Sequence, residues 1–539
     1  LWRLLNEYMT KQTLSYPGTG FFSSTICDYL AQSDSIQPFY HRFPTLENFN
    51  LQIEEKNSSF SQATRSVLVS QLKSQYQGFD VSEQTQKNID LLSDSNTFTI
   101  TTGHQLNLFT GPLYFLYKII SAINLAEKLQ EIYPDNHFVP VYWMASEDHD
   151  FEEIQYFNYD GKKVTWDREA SGAVGRLSTE GLVEMCKVLE KHWGISGNAV
   201  YLLELFKSSY TKHQNLGDAT RNLANDLFKD FGLVIVDGDD AALKKEFIPF
   251  VQLEIQKQQS FKEVSKTTER LVENGYKAQV HPREINLFYL TENSRERIIE
   301  REGNFYINNS ELQFSEEQLL AEVDAHPERF SPNALLRPLY QEVILPNLCY
   351  IGGGGELAYW FQLKNYFDSI SVPFPMLLLR NSVLLIPEKI QSKLGKLDVP
   401  ISTLFQKTHP LTTWYTHKLS EIKIDFSKQR EHLKSQFKDM YELAKKTDAS
   451  FLGAVAAQEK KQLNGLDHLE KRLLKAQKRN MHHALERLRL LHHELFPNES
   501  LQERYENFSK WYLLLGDNLI IQLKENLNPL ENEFTLLTV

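Results

Sequence analysis

At 539 residues, with 41% hydrophobic and 12% aromatic side chains, the chain is too long for one simple core and apolar enough for two or three domains. Its net charge of −12 excludes a general nucleic-acid or membrane-surface binder, which needs a basic excess, while leaving room for a local basic patch. Three cysteines, Cys27, Cys186 and Cys349, form no CxxC pair, so neither a structural zinc site nor a disulfide framework is expected and a reducing cytoplasm fits.

No apolar run reaches the ~18 residues that a membrane-spanning helix needs. The segment Leu1–Gly18 carries Glu7 and Lys11 and does not read as a signal peptide. Helix is expected over Ser58–Tyr76. Thr97–Thr102 then reads as a strand ending in Gly103-His104-Gln105, with a helix from Pro112 to about Ile132. A second apolar run, Phe138–Met144, holds Trp143 and ends in Ser146-Glu147-Asp148-His149-Asp150. Together they form a βαβ unit with titratable residues at both strand ends, where open parallel sheets bind ligands.

A less regular stretch, about 152–225, precedes a third strand signal, Phe231–Gly238, in which Gly232 caps the preceding helix. The continuous apolar run suits a parallel strand buried on both faces. Ala241–Asn274 reads as helix. Gln279–His281, Leu287–Leu290 and Phe305–Ile307 read as short antiparallel strands of an inserted subdomain, about 260–330. Pro375–Arg380 is a further strand. Beyond about 385 the text becomes polar and poor in Gly and Pro. Over Ser450–Leu495 apolar residues recur at three and four, among them Leu463, Leu466, Leu469 and Leu473, with a phase shift near Asn480. A continuous helix there would be ~69 Å long at 1.5 Å per residue, so a coiled-coil hairpin is expected. The expected division is a core over 1–385, a coiled coil over 386–500, and an amphipathic helix within 501–539 that returns to the core.

Gly103-His104-Gln105 and the helix start at Thr110-Gly111-Pro112 could face an anion, with equal weight for plain turn chemistry. In the 146–150 cluster, adjacent carboxylates and a histidine suit a general base, Mg²⁺-nucleotide contact or amine recognition, and the competing role is a helix cap. Gly352–Gly355 with Glu356, Tyr359 and Trp360 would let a ligand approach the backbone closely, though the run is neither a Walker A loop nor a dinucleotide fingerprint. Asn333, Arg337 and Arg380 lie near loop or strand ends, and arginine suits bidentate carboxylate or phosphate binding; ordinary salt bridges are the equal alternative. His482-His483 and His492-His493 fit solvated coiled-coil faces better than a metal site, since His482 and His493 are ~16 Å apart along one helix. Cys349 reads as a buried filler. No metal is expected.

At Thr102–Gln105, Thr110–Tyr114, Tyr117-Lys118, Ser146–Phe151, Ser331–Asn333, Leu336–Pro338 and the glycine run, the chain closely resembles the BshC family, the cysteine-adding enzymes of bacillithiol biosynthesis. The likeness extends over roughly residues 10–530. It implies an α/β fold: a Rossmann-like parallel-sheet core with inserted connecting-peptide elements, plus an α-helical coiled coil that makes a homodimer. It also implies ligation of cysteine to glucosaminyl malate, giving bacillithiol, in a cytoplasmic enzyme without nucleic-acid or membrane partners. Two positions depart from the family pattern: many members carry Gln in place of His104 and Pro in place of Gly354, so the likeness requires no histidine-specific role.

Amide formation in water is uphill, which makes ATP with Mg²⁺ the expected activator. The expected catalytic residues are Asp148, His149, Glu147 and His104. The expected binding residues are Gly103, Gln105, Thr110, Gly111 and Lys118 around the first strand end, and Trp143 and Ser146 at the second. Asn333, Arg337, Gly353, Gly355, Glu356, Tyr359 and Arg380 complete them. A ligase for another amino acid or sugar, or a non-catalytic nucleotide-binding coiled-coil dimer, are the competing classes.

Overall fold

The computed structural model describes residues 10–539; the part of the Leu1–Gly18 reading that falls on Leu1–Met9 lies outside the described residues. The chain divides into two compact units. Lys11–Leu384 with Gln502–Leu537 form the core, and Leu385–Leu501 with a few terminal residues form the other.

In the core unit, β1 (Thr97–His104), β2 (His137–Met144), β3 (Val234–Asp237), β4 (Asn347–Gly352) and β5 (Met376–Leu379) make one parallel sheet in the order β3-β2-β1-β4-β5. Helix α1 (Tyr114–Ile132) connects β1 to β2, α2 (Arg337–Ile344) leads into β4, and α3 (Gly354–Trp360) follows it. The strands are apolar or threonine-rich because both faces are covered. Phe98, Ile100, Phe138, Leu348, Ile351 and Leu378 pack with Ala122, Leu125 and Leu129 of α1 and with Phe49 and Ile53 of the helix Leu46–Ser59. Buried threonines of β1 bond across the sheet, as Thr102 Oγ1 does to Ile351 O at 2.8 Å.

Two insertions interrupt this core. Between β2 and β3 lie a hairpin, Tyr156–Tyr159 with Lys162–Thr165, and the helices Leu182–Trp193, Gly197–Lys212 and Leu216–Phe228. Between β3 and β4, besides α2, lie three helices, Ala241–Lys257, Gln259–Glu273 and Glu316–Ala325, and a five-stranded antiparallel sheet. Its spatial order is Gln313–Ser315, Asn304–Ile307, Arg295–Arg301, Leu287–Leu290 and Phe330–Pro332.

Several expected elements differ. Ala241–Asn274 is two helices, Ala241–Lys257 and Gln259–Glu273, broken at Gln258 with φ 49°. Ser58–Tyr76 is not one helix: Leu46–Ser59 ends within it and Gln62–Gln75 begins after a break, because Ser61 caps a new helix by accepting from Ala63 N. Gln279–His281 is not a strand: Gln279 N and Val280 N donate to Gln362 Oε1 at 2.9 and 3.0 Å, and Gln362 Nε2 donates to Val280 O, so one side-chain amide stands in for a neighbouring strand. The 501–539 segment is not one helix but Phe508–Leu515 and Asn518–Asn526, separated at Gly516 (φ 60°). The strand Glu533–Thr538 follows and pairs antiparallel with Lys11–Ser15.

In the other unit, Ser427–Ala444 and Ala449–Asn480 form an antiparallel hairpin around Phe437, Ala444 and Val455. Arg430 bridges to Asp467 and Glu470 across it, and Asp448 caps the second helix. The expected single helix ends at Met481, where His482–Leu495 begins. That second piece packs on Thr408–Leu419, and His492 is buried with Nε2 at 3.0 Å from Gln406 O, so it is a core residue rather than the solvated one expected. No described helix is long and apolar enough to cross a membrane.

Lys56 and Glu342 form a 2.8 Å ion pair beneath the sheet, with side chains 1% and 0% exposed, and Asn347 Nδ2 donates to the same carboxylate. Removing one partner of such a pair strands a charge. Lys56→Met should therefore destabilise the chain by ~3–5 kcal/mol in thermal or denaturant unfolding near neutral pH. The deficit should shrink as pH falls, because burial already raises the Glu342 pKa and protonation removes the stranded charge.

Candidate active site

The sheet order reverses at β1, whose neighbours β2 and β4 lead away on opposite sides, and ligands bind such sheets at the carboxyl ends of the strands beside this switch point. A cleft of about 900 Å³ opens there. Its floor is Gly103 and His104 of β1, Trp143 of β2, Tyr350 of β4 with Gly353 beyond it, and Arg380 after β5. The second insertion contributes Arg283, Phe288, Arg295 and Arg297, and the C-terminal return contributes Arg504.

One buried network ties the switch point together. Lys118 of α1 is 3% exposed, and its Nζ donates to Gly103 O at 2.6 Å and to Glu356 at 2.6–2.8 Å. Glu356 also accepts from Tyr350 Oη and from Gly353 N, each at 2.8 Å. Burial lowers the Lys118 pKa, Glu356 opposes this, and Arg380 and Arg504 lower it further. Arg380 is held by a bidentate pair with Glu503 at 2.7 and 3.1 Å, and its guanidinium lies 5.0 Å from the Tyr114 ring. His104 stands between Tyr114 and Phe115. Burial, and then Lys118, push its pKa well below the usual value, so it is a neutral imidazole at neutral pH.

At the other end Asp148 is paired with Arg337, and Arg295 Nη1 lies 4.0 Å from it. Burial raises its pKa but these two guanidiniums outweigh that, holding the carboxyl below the ordinary value and hence ionised. Arg295 stacks 4.0 Å from the Phe288 ring and donates to Ser331 Oγ, Pro332 O and His149 Nδ1, the last at 3.0 Å. Since an arginine only donates, His149 Nδ1 is the acceptor and the imidazole proton sits on Nε2.

The cleft takes in every expected site residue except Thr110, Gly111, Ser146, Glu147 and His149. Thr110 and Gly111 belong to a left-handed stretch, φ 68° and 64°, latched by Asn507 Nδ2 donating to Phe109 O and Gly111 O at 2.7 and 2.6 Å. The chain at the α1 start is engaged as well, Leu113 N donating to Glu506 O at 2.8 Å, so these backbone groups already have partners within the protein. Glu147 pairs at 2.6 Å with buried Lys244, which also holds Asp239 at 3.0 Å. Ser146 bonds Asp237 across β2 and β3. His149 supports Arg295 from behind. Asn333 lines the cleft but spends its Oδ1 on Leu335 N and Leu336 N, and Gln105 donates to Glu153. Arg295, Arg297, Arg283 and Arg504 were missed. They come from the insertion and the C-terminal return, and no spacing in the sequence links those segments to β1. No group of His, Cys, Asp and Glu among the described residues is arranged to hold a metal ion.

In total seven cationic side chains, Lys118 and six arginines, line the cleft against two carboxylates, Asp148 and Glu356, in a chain whose net charge is −12. Fold and site define a Rossmann-like α/β protein with a cationic cleft at the switch point of its parallel sheet. The sequence profile "Bacillithiol biosynthesis BshC, N-terminal Rossmann-like domain" matches residues 9–381, and its companion "C-terminal coiled-coil domain" matches 383–539. The chain belongs to the BshC family. Relatives from Flavobacterium johnsoniae and Christiangramia forsetii are each 55% identical, covering 98% of this chain and 100% and 99% of their own lengths. One from Cytophaga hutchinsonii is 39% identical over 94% of this chain and 95% of its own. All three carry the name "Putative cysteine ligase BshC".

The Ser146–Asp237 contact at the edge of the site has a pH signature. Burial, and then Asp239, push the Asp237 carboxyl up from 3.8 to about 6. A carboxyl raised in the folded state contributes fully below its unfolded value and loses that contribution as pH rises through the folded one. At 1.36 kcal/mol per unit the loss is ~3 kcal/mol between pH 4 and pH 7. Asp237→Asn keeps the acceptor for Ser146 and removes the titration. Its melting temperature should match the parent near pH 4 and exceed it at pH 8; parallel profiles would contradict this account.

Proposed function

We propose that the protein is an amide-forming ligase that joins the carboxylate of L-cysteine to the amine of glucosaminyl malate, giving bacillithiol. One observation carries this reading: the switch-point cleft pairs a large cationic excess with an ionised carboxylate, Asp148, beside Arg295 and Arg337. The cations suit a malyl dicarboxylate and phosphate oxygens. Asp148 suits an ammonium group. The names of the relatives and the family description support the same assignment.

The C–N bond forms as one cysteine carboxylate oxygen departs, and a free carboxylate does not release it. Mg-ATP would supply that activation by taking the oxygen onto phosphorus. The protein's own part is placement. Asp148 receives the amine, with the backbone on either side of it fixed by Val174 N donating to Asp148 O and Gly175 N to Ser146 O, each at 2.7 Å. Arg295 and Arg337 keep Asp148 ionised, and His149 keeps Arg295 in place.

Purified protein with glucosaminyl malate, cysteine and Mg-ATP should yield bacillithiol, with each omission abolishing it; AMP or ADP in the mixture tells which phosphorus takes the oxygen. A panel of other amino acids separates this reading from a ligase of different specificity. Asp148→Asn should lower kcat/KM ~10- to 100-fold, the range of one charge-assisted contact, with the fold retained by circular dichroism. Near-normal turnover in that variant would rule out the assigned role.

We further propose that the coiled-coil hairpin joins two copies. Leu443, Phe451, Leu452 and Leu469 are exposed on it, more apolar surface than a solvated hairpin needs. Sedimentation should give a dimer for the parent and a monomer for the double variant Leu443→Glu, Leu469→Glu.

A further inference from the structure

The cations of the cleft are not equally committed. Lys118 is neutralised by Glu356, Arg337 by Asp148 and Arg380 by Glu503. Arg283, Arg297 and Arg504 make no ion pair among the described residues, and all three are at least partly exposed. These uncompensated guanidiniums lie in two places. Arg297 stands two residues from Arg295 on one strand, hence on the same face, and its partner across the sheet is Phe288, on which Arg295 stacks. Arg283 precedes that strand, its N–H fixed at 3.1 Å on Asn286 Oδ1. This group is therefore on the Asp148 side of the cleft.

Arg504 follows Glu503, the partner of Arg380, and so belongs to the switch-point end with Tyr114, Lys118 and Gly353. There Arg380, 3% exposed, keeps an Nε–H with no acceptor, and a Cβ on Gly353 would be 3.7 Å from that nitrogen.

We infer that the cleft holds two oxyanion groups at once, in separate subsites: carboxylates of the amine-bearing acceptor at Arg283 and Arg297, and phosphates at Arg504 and Arg380. The carboxylates are assigned to the first because only that end offers an uncommitted guanidinium beside the carboxylate that receives an amine, and the acceptor carries both groups. The phosphates are assigned to the second because it lies at the switch point against the glycine run, where the backbone leaves room. The assignment of ligands rests on the proposed function; the existence of two subsites does not.

The experiment is calorimetric titration of the full chain and of Arg297→Gln and Arg504→Gln, both at exposed or half-exposed positions that the fold can spare. The probes are glucosaminyl malate and Mg-ATP, with malonate and pyrophosphate as plain dicarboxylate and phosphate probes. Arg297→Gln should weaken glucosaminyl malate and malonate about tenfold and leave Mg-ATP and pyrophosphate unchanged. Arg504→Gln should do the reverse. Equal weakening of every probe by both variants, which means one shared anion site, would overturn the inference, as would no change in either variant or exchanged selectivity. If glucosaminyl malate and Mg-ATP fail to bind the parent while malonate and pyrophosphate show the selective losses, the ligase reading falls and the two subsites stand. Retained melting temperatures exclude misfolding as the cause.

Discussion

The switch-point cleft depends on Lys118 being charged where almost no water reaches it. An ammonium on an apolar helix is costly unless its donors are met, and here two different pieces of chain meet them: the end of β1 through Gly103 O, and α3 through Glu356, whose carboxylate also accepts from Tyr350 Oη. The two strands that flank the switch point are thereby fastened to one side chain of α1. Glu356 in turn fixes Gly353 N, so the glycine run has a defined shape although its residues supply no side chain. Hydrophobic burial builds the sheet, but it is this polar knot that sets where the strand ends sit relative to each other.

The same logic repeats around the cleft. Arg380 with Glu503, Arg337 with Asp148, and Lys244 with Glu147 and Asp239 are pairs that an apolar core would not need. Such pairs add little net stability over well-packed hydrocarbon, because desolvation offsets the Coulomb attraction. What they provide is one geometry: a guanidinium with two or three fixed acceptors cannot drift, which is the condition for presenting an anion-binding edge or an ionised carboxylate to a ligand.

The parts of the molecule that could be read from the sequence are those set by local pattern. The βαβ unit was legible because apolar runs and a helical period sit next to each other, and the strand ends at Gly103 and Asp148 followed from that. The hairpin was legible from its three-four spacing, and its break at Met481 only as a change of phase. Elements that depend on a distant partner were not legible. Gln279–His281 looks like a strand because extended chain is what Gln362 requires of it, and Asp148, Glu147 and His149, adjacent in sequence, diverge to Arg337, Lys244 and Arg295, each from a different segment. The 103–112 segment divides for a related reason: Gly103, His104 and Gln105 line the cleft, while carbonyls of the Phe109–Gly111 turn accept from Asn507 and Leu113 N donates to Glu506, some four hundred residues away in sequence.

That long-range latch also sets a schedule. Among the described residues Arg380 closes its ion pair with Glu503, two carbonyls of the Phe109–Gly111 turn accept from Asn507, and Lys11–Ser15 pairs with the strand from Glu533. All three partners lie in Gln502–Leu537, beyond the whole Leu385–Leu501 unit. On the ribosome the parallel sheet can therefore collapse long before the cleft is finished, and a nascent or prematurely terminated chain carries Arg380 without its counter-charge. A chain cut short before residue 502 would have the strands around Asp148 in place while the switch-point end of the cleft, lacking Glu503 beside Arg380, stayed unassembled.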